Sequence, residues 1–245
     1  MYSPTITFNS VSKEIGKRRF KKLVLEDVNW TIEPRSRVVI LGPRNSGASA
    51  LLQLIAGMEL PTTGWIDRRA VSSVPGGLLR YSRHESMRQL ITRLSQVYRV
   101  DPKEVAAFMA KALDRQDLLD TPTRLLPVVI KQQVSKALTY AFPCDFYVMN
   151  NASIGIGDDR FQTFCQRAFD LRSKQAGVIM LSNSGKSARK FGDEMMGALV
   201  HQRRLTLYKR LSDAIAVFES LPAEETADDE ELYADRTMPE EEEFF

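Results

Sequence analysis

Arg37-Val-Val-Ile-Leu41, followed by Gly42-Pro-Arg-Asn-Ser-Gly47-Ala48-Ser49, is the stretch on which the fold of this chain turns. The first five residues are a compact, β-branched run, the composition of a strand buried in a central sheet. Ala48 to Ala56 is a run of strong helix formers that stops at Gly57. Strand, glycine-rich loop and helix, in that order, make the setting in which a phosphate-binding loop is credible. The pattern asks for Gly, four residues, Gly-Lys, then Ser or Thr, and it is met everywhere except at the lysine, where Ala48 stands. The glycines permit a curl that aims backbone amides at an anion, and the helix N-terminus adds a favourable partial charge. The candidates for nucleotide contact are therefore Gly42, Pro43, Arg44, Asn45, Ser46, Gly47, Ala48, Ser49 and Ala50. Ser49 stands where a hydroxyl for magnesium belongs. Missing is the cation that holds the β- and γ-phosphates, and Arg44 sits in the loop rather than at the helix start. A ligand-free glycine turn has the same spacing, so the setting argues for a phosphate-binding origin and leaves present-day binding open.

Outward from this stretch, the periodicities alternate. Ile6 to Phe8, Leu23 to Val28 and Trp30 to Glu33 read as edge or antiparallel strands, and a turn at Pro61-Thr-Thr-Gly64 leads into a strand at Trp65-Ile66. The region from about 83 to 141 is helical: Ser86 to Val97 and Lys103 to Leu113 carry apolar residues at three- and four-residue spacing, and a further helix runs over Lys131 to Phe142. Strands at Phe146 to Met149 and Val178 to Leu181 flank a helix from about Phe161 to Ser173. A hairpin over Leu199 to Leu207 and a helix over Ser212 to Ser220 complete the pattern. The expected class is α/β, with a mixed central sheet, an antiparallel β edge and a helical subdomain, all within residues 1–222.

Composition narrows the setting. Apolar residues are 43% and charged residues 27% of the 245-residue chain, ordinary for a globular protein with a real core. No run of 18 apolar residues reads as a membrane span, and Met1 to Ser10 does not read as a signal peptide. Cys144 and Cys165 have neither disulfide-framework nor metal-ligand spacing, and His84 and His201 read as surface residues. Residues 223–245 carry eleven acidic residues and one arginine, a net of −10, leaving +13 on the rest of a chain whose total is +3. Such a tail is predicted to be disordered. The basic residues of the body are scattered without interleaved aromatics, so nucleic acid is not expected as a partner.

Leu23 to Ile66 resembles the start of ABC-transporter ATPases, in Leu-Glu-Asp-Val-Asn-Trp-Thr-Ile-Glu-Pro, the loop above, Leu-Leu-Gln-Leu-Ile-Ala-Gly and Pro-Thr-Thr-Gly-Trp-Ile. Ala141-Phe-Pro-Cys-Asp-Phe-Tyr-Val-Met149, Gly157-Asp-Asp-Arg-Phe161 and Ser187-Ala-Arg-Lys-Phe-Gly-Asp193 look like the branch that exports capsular and related polysaccharides. The resemblance extends over about residues 2 to 220. It implies an aromatic that stacks on adenine, for which Phe20 is the candidate with an ordinary surface hydrophobe as the alternative, and a D-loop acid, matched by Asp158. It also implies an acidic pair after the strand ending at Met149, a histidine after the strand ending at Leu181, and a Ser- and Gly-containing signature before the Lys131 helix. The chain has Asn150-Asn151, Asn183 and Leu126-Pro-Val-Val-Ile130 at those places, and the Q-loop glutamine falls at or near Leu79.

An amide neither takes up a proton nor carries charge to a metal, so general-base chemistry is not expected at Asn150 or Asn151. Four losses facing one triphosphate, with the framework kept, predict a pseudo-ATPase without catalytic residues, a resident metal or a required cofactor, and with weak ATP and magnesium binding at most. The resemblance implies a non-hydrolytic subunit of a polysaccharide or glycolipid exporter. It would be peripheral on the cytoplasmic face of the membrane, docked on a permease subunit and paired with an intact ABC ATPase subunit. The alternative is a regulatory or scaffolding protein on the same fold, outside transport, with the acidic tail as its interaction segment.

Overall fold

The computed structural model describes residues 3–16, 20–76, 82, 84–150 and 155–222. Two sheets carry the architecture. β1 (Ile6–Ile15), β2 (Lys22–Ile32) and β4 (Thr63–Arg68) form an antiparallel sheet of order β2-β1-β4. β3 (Arg37–Leu41), β5 (Phe146–Asn150), β6 (Gly177–Ser182), β7 (Met196–His201) and β8 (Arg204–Tyr208) form the second sheet, of order β5-β6-β3-β7-β8. Its first four strands are parallel and β8 returns antiparallel, so the sheet is mixed, as the alternating pattern predicts.

The side-chain alternation of the central strands builds two cores. Val39, Leu41, Tyr147, Met149, Val178 and Met180 face one layer; Val38, Ile40, Phe146, Val148, Ile179 and Leu181 face the other. On the second face lies α1 (Ala48–Ala56), whose Leu51, Leu52, Leu54 and Ile55 are fully buried together with the apolar side of the antiparallel sheet. An almost wholly apolar helix is stable only between two layers, and α1 touches β2 on one side and β5 and β6 on the other. The first face is covered by α2 (Met87–Tyr98), α3 (Pro102–Leu113), α4 (Val128–Ala141), α5 (Asp159–Ser173) and α7 (Leu211–Glu219), with the one-turn α6 (Gly185–Ala188) beside α7.

Three local readings are corrected. β1 runs on to Ile15 rather than ending at Phe8, because it is the middle strand and its largely polar second half, with Val11 buried in the core, pairs with β2 on one side and β4 on the other. α4 starts at Val128, not Lys131, so Val128 to Ile130 form its first turn behind Pro127. His201 is half-buried at the end of β7, paired in register with Arg204, whereas His84 is exposed as expected. The tail 223–245 lies outside the described residues.

Candidate functional site

The glycine-rich loop, Asn150 and Asn183 gather at the carboxyl edge of the parallel strands, where loops of an α/β sheet gather ligands. Leu41 pairs with Ser182, and Leu181 with Asn150, so the ends of β3, β6 and β5 form one row at about 5 Å per strand step. Gly42 leaves from the first of these ends, Asn183 from the second, and Asn150 closes the third.

The loop itself is closely wound. A side chain at Gly42 would lie 2.4 Å from Ser46 Oγ, 2.9 Å from the Ala48 methyl and 3.0 Å from the Val200 carbonyl. Ser46 donates its amide to Pro43 O at 3.2 Å, and Asn45 takes a left-handed φ of 63° to make that turn. Gly47 has φ 99°, and a Cβ there would sit 2.4 Å from Val24 O of β2, so only glycine fits. With Gly47 as N-cap, α1 begins without a side-chain cap and without an acidic residue in its first turn. The backbone therefore keeps the positive N-terminal end that suits a phosphate. Ala48 is buried with its methyl against the loop, Ser49 is exposed at the helix start, and Arg44 is exposed in the turn.

Behind the loop, Arg68 is a feature that no pattern in the sequence signals. Its guanidinium donates to the carbonyls of Leu54 and Ile55, at the C-terminal end of α1. A cation there complements the helix dipole from the other end, so β4 fixes the helix that carries the loop. Burial holds the Arg68 pKa below its ordinary value.

Of the sequence-predicted groups, Asn150 is half-buried at the end of β5, and Asn151 lies outside the described residues. Asn183 is exposed. Ser182 Oγ accepts the Ser184 amide at 3.3 Å and donates to Ser184 O at 2.9 Å, which turns Asn183 outward at the loop's edge of the sheet. Asp158 caps α5, accepting the Phe161 amide at 2.8 Å, and the preceding Gly157 packs against Gln133 of α4. Phe20 is 87% exposed at the β1–β2 hairpin, four residues, or about 13 Å of extended chain, before the Val24 that touches Gly47. Leu79 lies outside the described residues. Pro127, Val128 and Val129 are exposed at the start of α4.

The loop suits an anion through its backbone amides. Asn150 presents a neutral amide at the end of β5, and among the described residues no three His, Cys, Asp or Glu side chains cluster. Burial favours the neutral thiol at both cysteines. Burial pushes the Cys144 thiol up to about 12, with Asp145 adding to the shift. Burial likewise pushes Cys165 up to about 11, against an opposing pull from Lys136.

Comparison with known proteins agrees with this frame. The ABC transporter family pattern matches residues 25–142. The capsule polysaccharide export ATP-binding protein CtrD of Neisseria meningitidis is 27% identical over 220 residues, covering 89% of this chain and all of that one. The ATP-binding protein BexA of Haemophilus influenzae is 28% identical over 192 residues, covering 77% of this chain and 87% of its own length. An ATP-binding subunit of an ABC transporter superposes with a TM-score of 0.67 at 17% identity, over 95% of this chain and 99% of that structure, a likeness of fold.

Proposed function

We infer, for a chain that carries an ABC transporter domain, that it is the ATP-binding-type subunit of a polysaccharide or glycolipid exporter and has lost ATP hydrolysis. The observation that carries this reading is a loop kept in full backbone form, with Gly42 and Gly47 irreplaceable by geometry, around side chains stripped of charge at Ala48 and Asn150. Asn151 and Asn183 extend the same loss along the edge of the sheet. Each positioned charge in phosphoryl transfer is worth roughly 4–7 kcal/mol of barrier, on the scale of an arginine finger. Removing lysine, metal ligand and base together leaves no useful turnover.

The export assignment is supported by CtrD, a relative that spans most of this chain and is named for capsule polysaccharide export. ABC domains pair head to tail, each start of the α4-type helix completing the other's nucleotide site. Val128 and Val129 bring β-branched side chains to that position, and Pro127 brings no amide. Both halves of the composite site are thus impaired, and a working transporter needs an intact ATPase subunit beside this one, on a membrane permease. Affinity purification of the full-length chain from its native membranes tests this. Recovery of a permease together with an intact ATPase is expected; recovery of soluble partners alone moves the protein to a scaffolding role.

A further inference from the structure

The outer face of the antiparallel sheet carries an exposed tryptophan among short, polar neighbours. Trp65 lies on β4 and is 65% exposed, while the next residue, Ile66, points the other way and packs against the buried core. In register, Trp65 pairs with Asn9 of β1, and Asp67 pairs with Thr7, whose partner on β2 is Thr31. Directly paired residues share a face, and Thr31 Oγ1 donates to Thr7 Oγ1 at 3.3 Å. Asn29 precedes Thr31 by two residues, so it lies on that face too, and its Oδ1 accepts the Ser10 amide at 2.8 Å. The six side chains form a grid of two rows, Trp65, Asn9 and Asn29 in one and Asp67, Thr7 and Thr31 in the other, with about 4.8 Å between strands. Phe8, Trp30 and Ile32 point away from it, into the core beneath the sheet.

A lone exposed hydrophobe needs no explanation, but a large ring level with a row of amides and hydroxyls offers two kinds of contact at once. The π-face of an indole is electron-rich and attracts the weakly positive C–H bonds that a pyranose ring presents on its flat side. The hydroxyls around that ring need donors and acceptors at its edge, which Asn9 and Thr7 supply. Asn9 is lightly committed, its Nδ2 reaching Thr7 O at 3.5 Å. Charge decides against other occupants. Asp67 and Arg69 close on each other at 2.9 Å, so the grid presents no net charge. A nucleic-acid strand needs a cationic track beside its stacking ring, a membrane surface needs a basic fringe, and a protein partner needs a contiguous apolar centre. Neighbours that are Asn, Thr and one closed ion pair meet none of these needs and complement an uncharged, hydroxyl-rich ligand. β4 is also the edge strand of its sheet, so a chain-like ligand can cross the grid and run past it.

We propose that the outer face of the antiparallel sheet binds a neutral stretch of oligosaccharide, with one pyranose ring stacked on Trp65 and its hydroxyls held by Asn9 and Thr7. The other face of the same sheet packs on α1, so this site is separate from the glycine-rich loop. On the exporter reading above, such a face lets the subunit touch the glycan being moved, but the binding itself does not rest on that reading.

The test is a titration of the purified full-length chain with cellohexaose, maltohexaose and chitohexaose, followed by nuclear magnetic resonance of the indole N–H groups of its two tryptophans. Trp30 is buried and serves as the internal reference. At least one of these sugars is expected to move the Trp65 signal with half-saturation at about 1 mM, leaving Trp30 in place. Asn9→Ala is expected to raise that half-saturation about tenfold, the scale of one lost hydrogen bond. Trp65→Ala, a surface change, is expected to abolish the accompanying shifts at the Asn9 and Thr7 backbone amides. No response to any of the three sugars overturns the proposal. So does an equal response to glycerol at matched hydroxyl concentration, an unchanged half-saturation in Asn9→Ala, or a response that survives Trp65→Ala. A Trp65 signal that moves with protein concentration in the absence of sugar assigns the face to a second copy and also overturns it. No transporter component is present, so failure here leaves the export reading standing, and a failed copurification leaves this result standing.

Discussion

Ala48 and Gly47 are neighbours with opposite tolerances. At Ala48 the missing side chain is a charge, and at Gly47 the missing side chain is what allows the loop to close. Ala48→Lys is expected to tighten ATP binding by at least tenfold, about 1.4 kcal/mol, in isothermal titration of the purified chain. It should add no turnover, because Asn150 still offers magnesium no charge. Gly47→Ala meets the Val24 carbonyl at 2.4 Å with φ at 99°, so urea unfolding should show a loss of roughly 2–4 kcal/mol. The buried thiols give a pH signature. With folded pKa values of about 12 at Cys144 and about 11 at Cys165, both raised from 9 by burial, their stabilisation is complete below pH 9 and is lost as pH rises through those values. The slope of unfolding free energy against pH between 9 and 11 should accordingly flatten in the Cys144→Ala, Cys165→Ala variant.

Elements differ in how far their own sequence determines them. α2 is locally specified: Ser86 Oγ accepts the Gln89 amide at 3.2 Å, and Gln89 Oε1 accepts the Ser86 amide at 2.8 Å, a closed capping box. Ser86→Ala should cost about 1 kcal/mol in the same unfolding measurement. β3 and the loop after it were equally legible, since a β-branched run before a glycine-rich loop has few other solutions. The start of α4 was not. Val128-Val-Ile130 has poor helix propensity, and it is helical because Pro127 sets the entry angle and Val134, Ala137 and Leu138 bury the turns that follow. The length of β1 was hidden for a related reason: Ser10, Ser12 and Lys13 are polar and leave Val11 isolated, and only pairing on both sides makes them strand. Arg68 as the cap of α1 was illegible because it joins residues brought together only by the tertiary fold.

At the scale of the molecule, the proposed loss of hydrolysis leaves the framework in place. Two cores built from alternate faces of the same strands hold the row of loop ends, and that architecture is intact from β1 to α7. The candidate site was legible because the framework motifs between the altered positions persist, so each departure could be placed against the strand it follows. Along the same row the sequence has Ala48, Asn150 and Asn183, none of them charged. The most direct test of this account is magnesium-dependent ATP turnover by the purified full-length chain, compared with its Ser49→Ala variant. The account predicts no turnover above the uncatalysed background in either protein. Turnover in the native chain that disappears with Ser49→Ala would contradict it and make this an active ATPase with an unusual site.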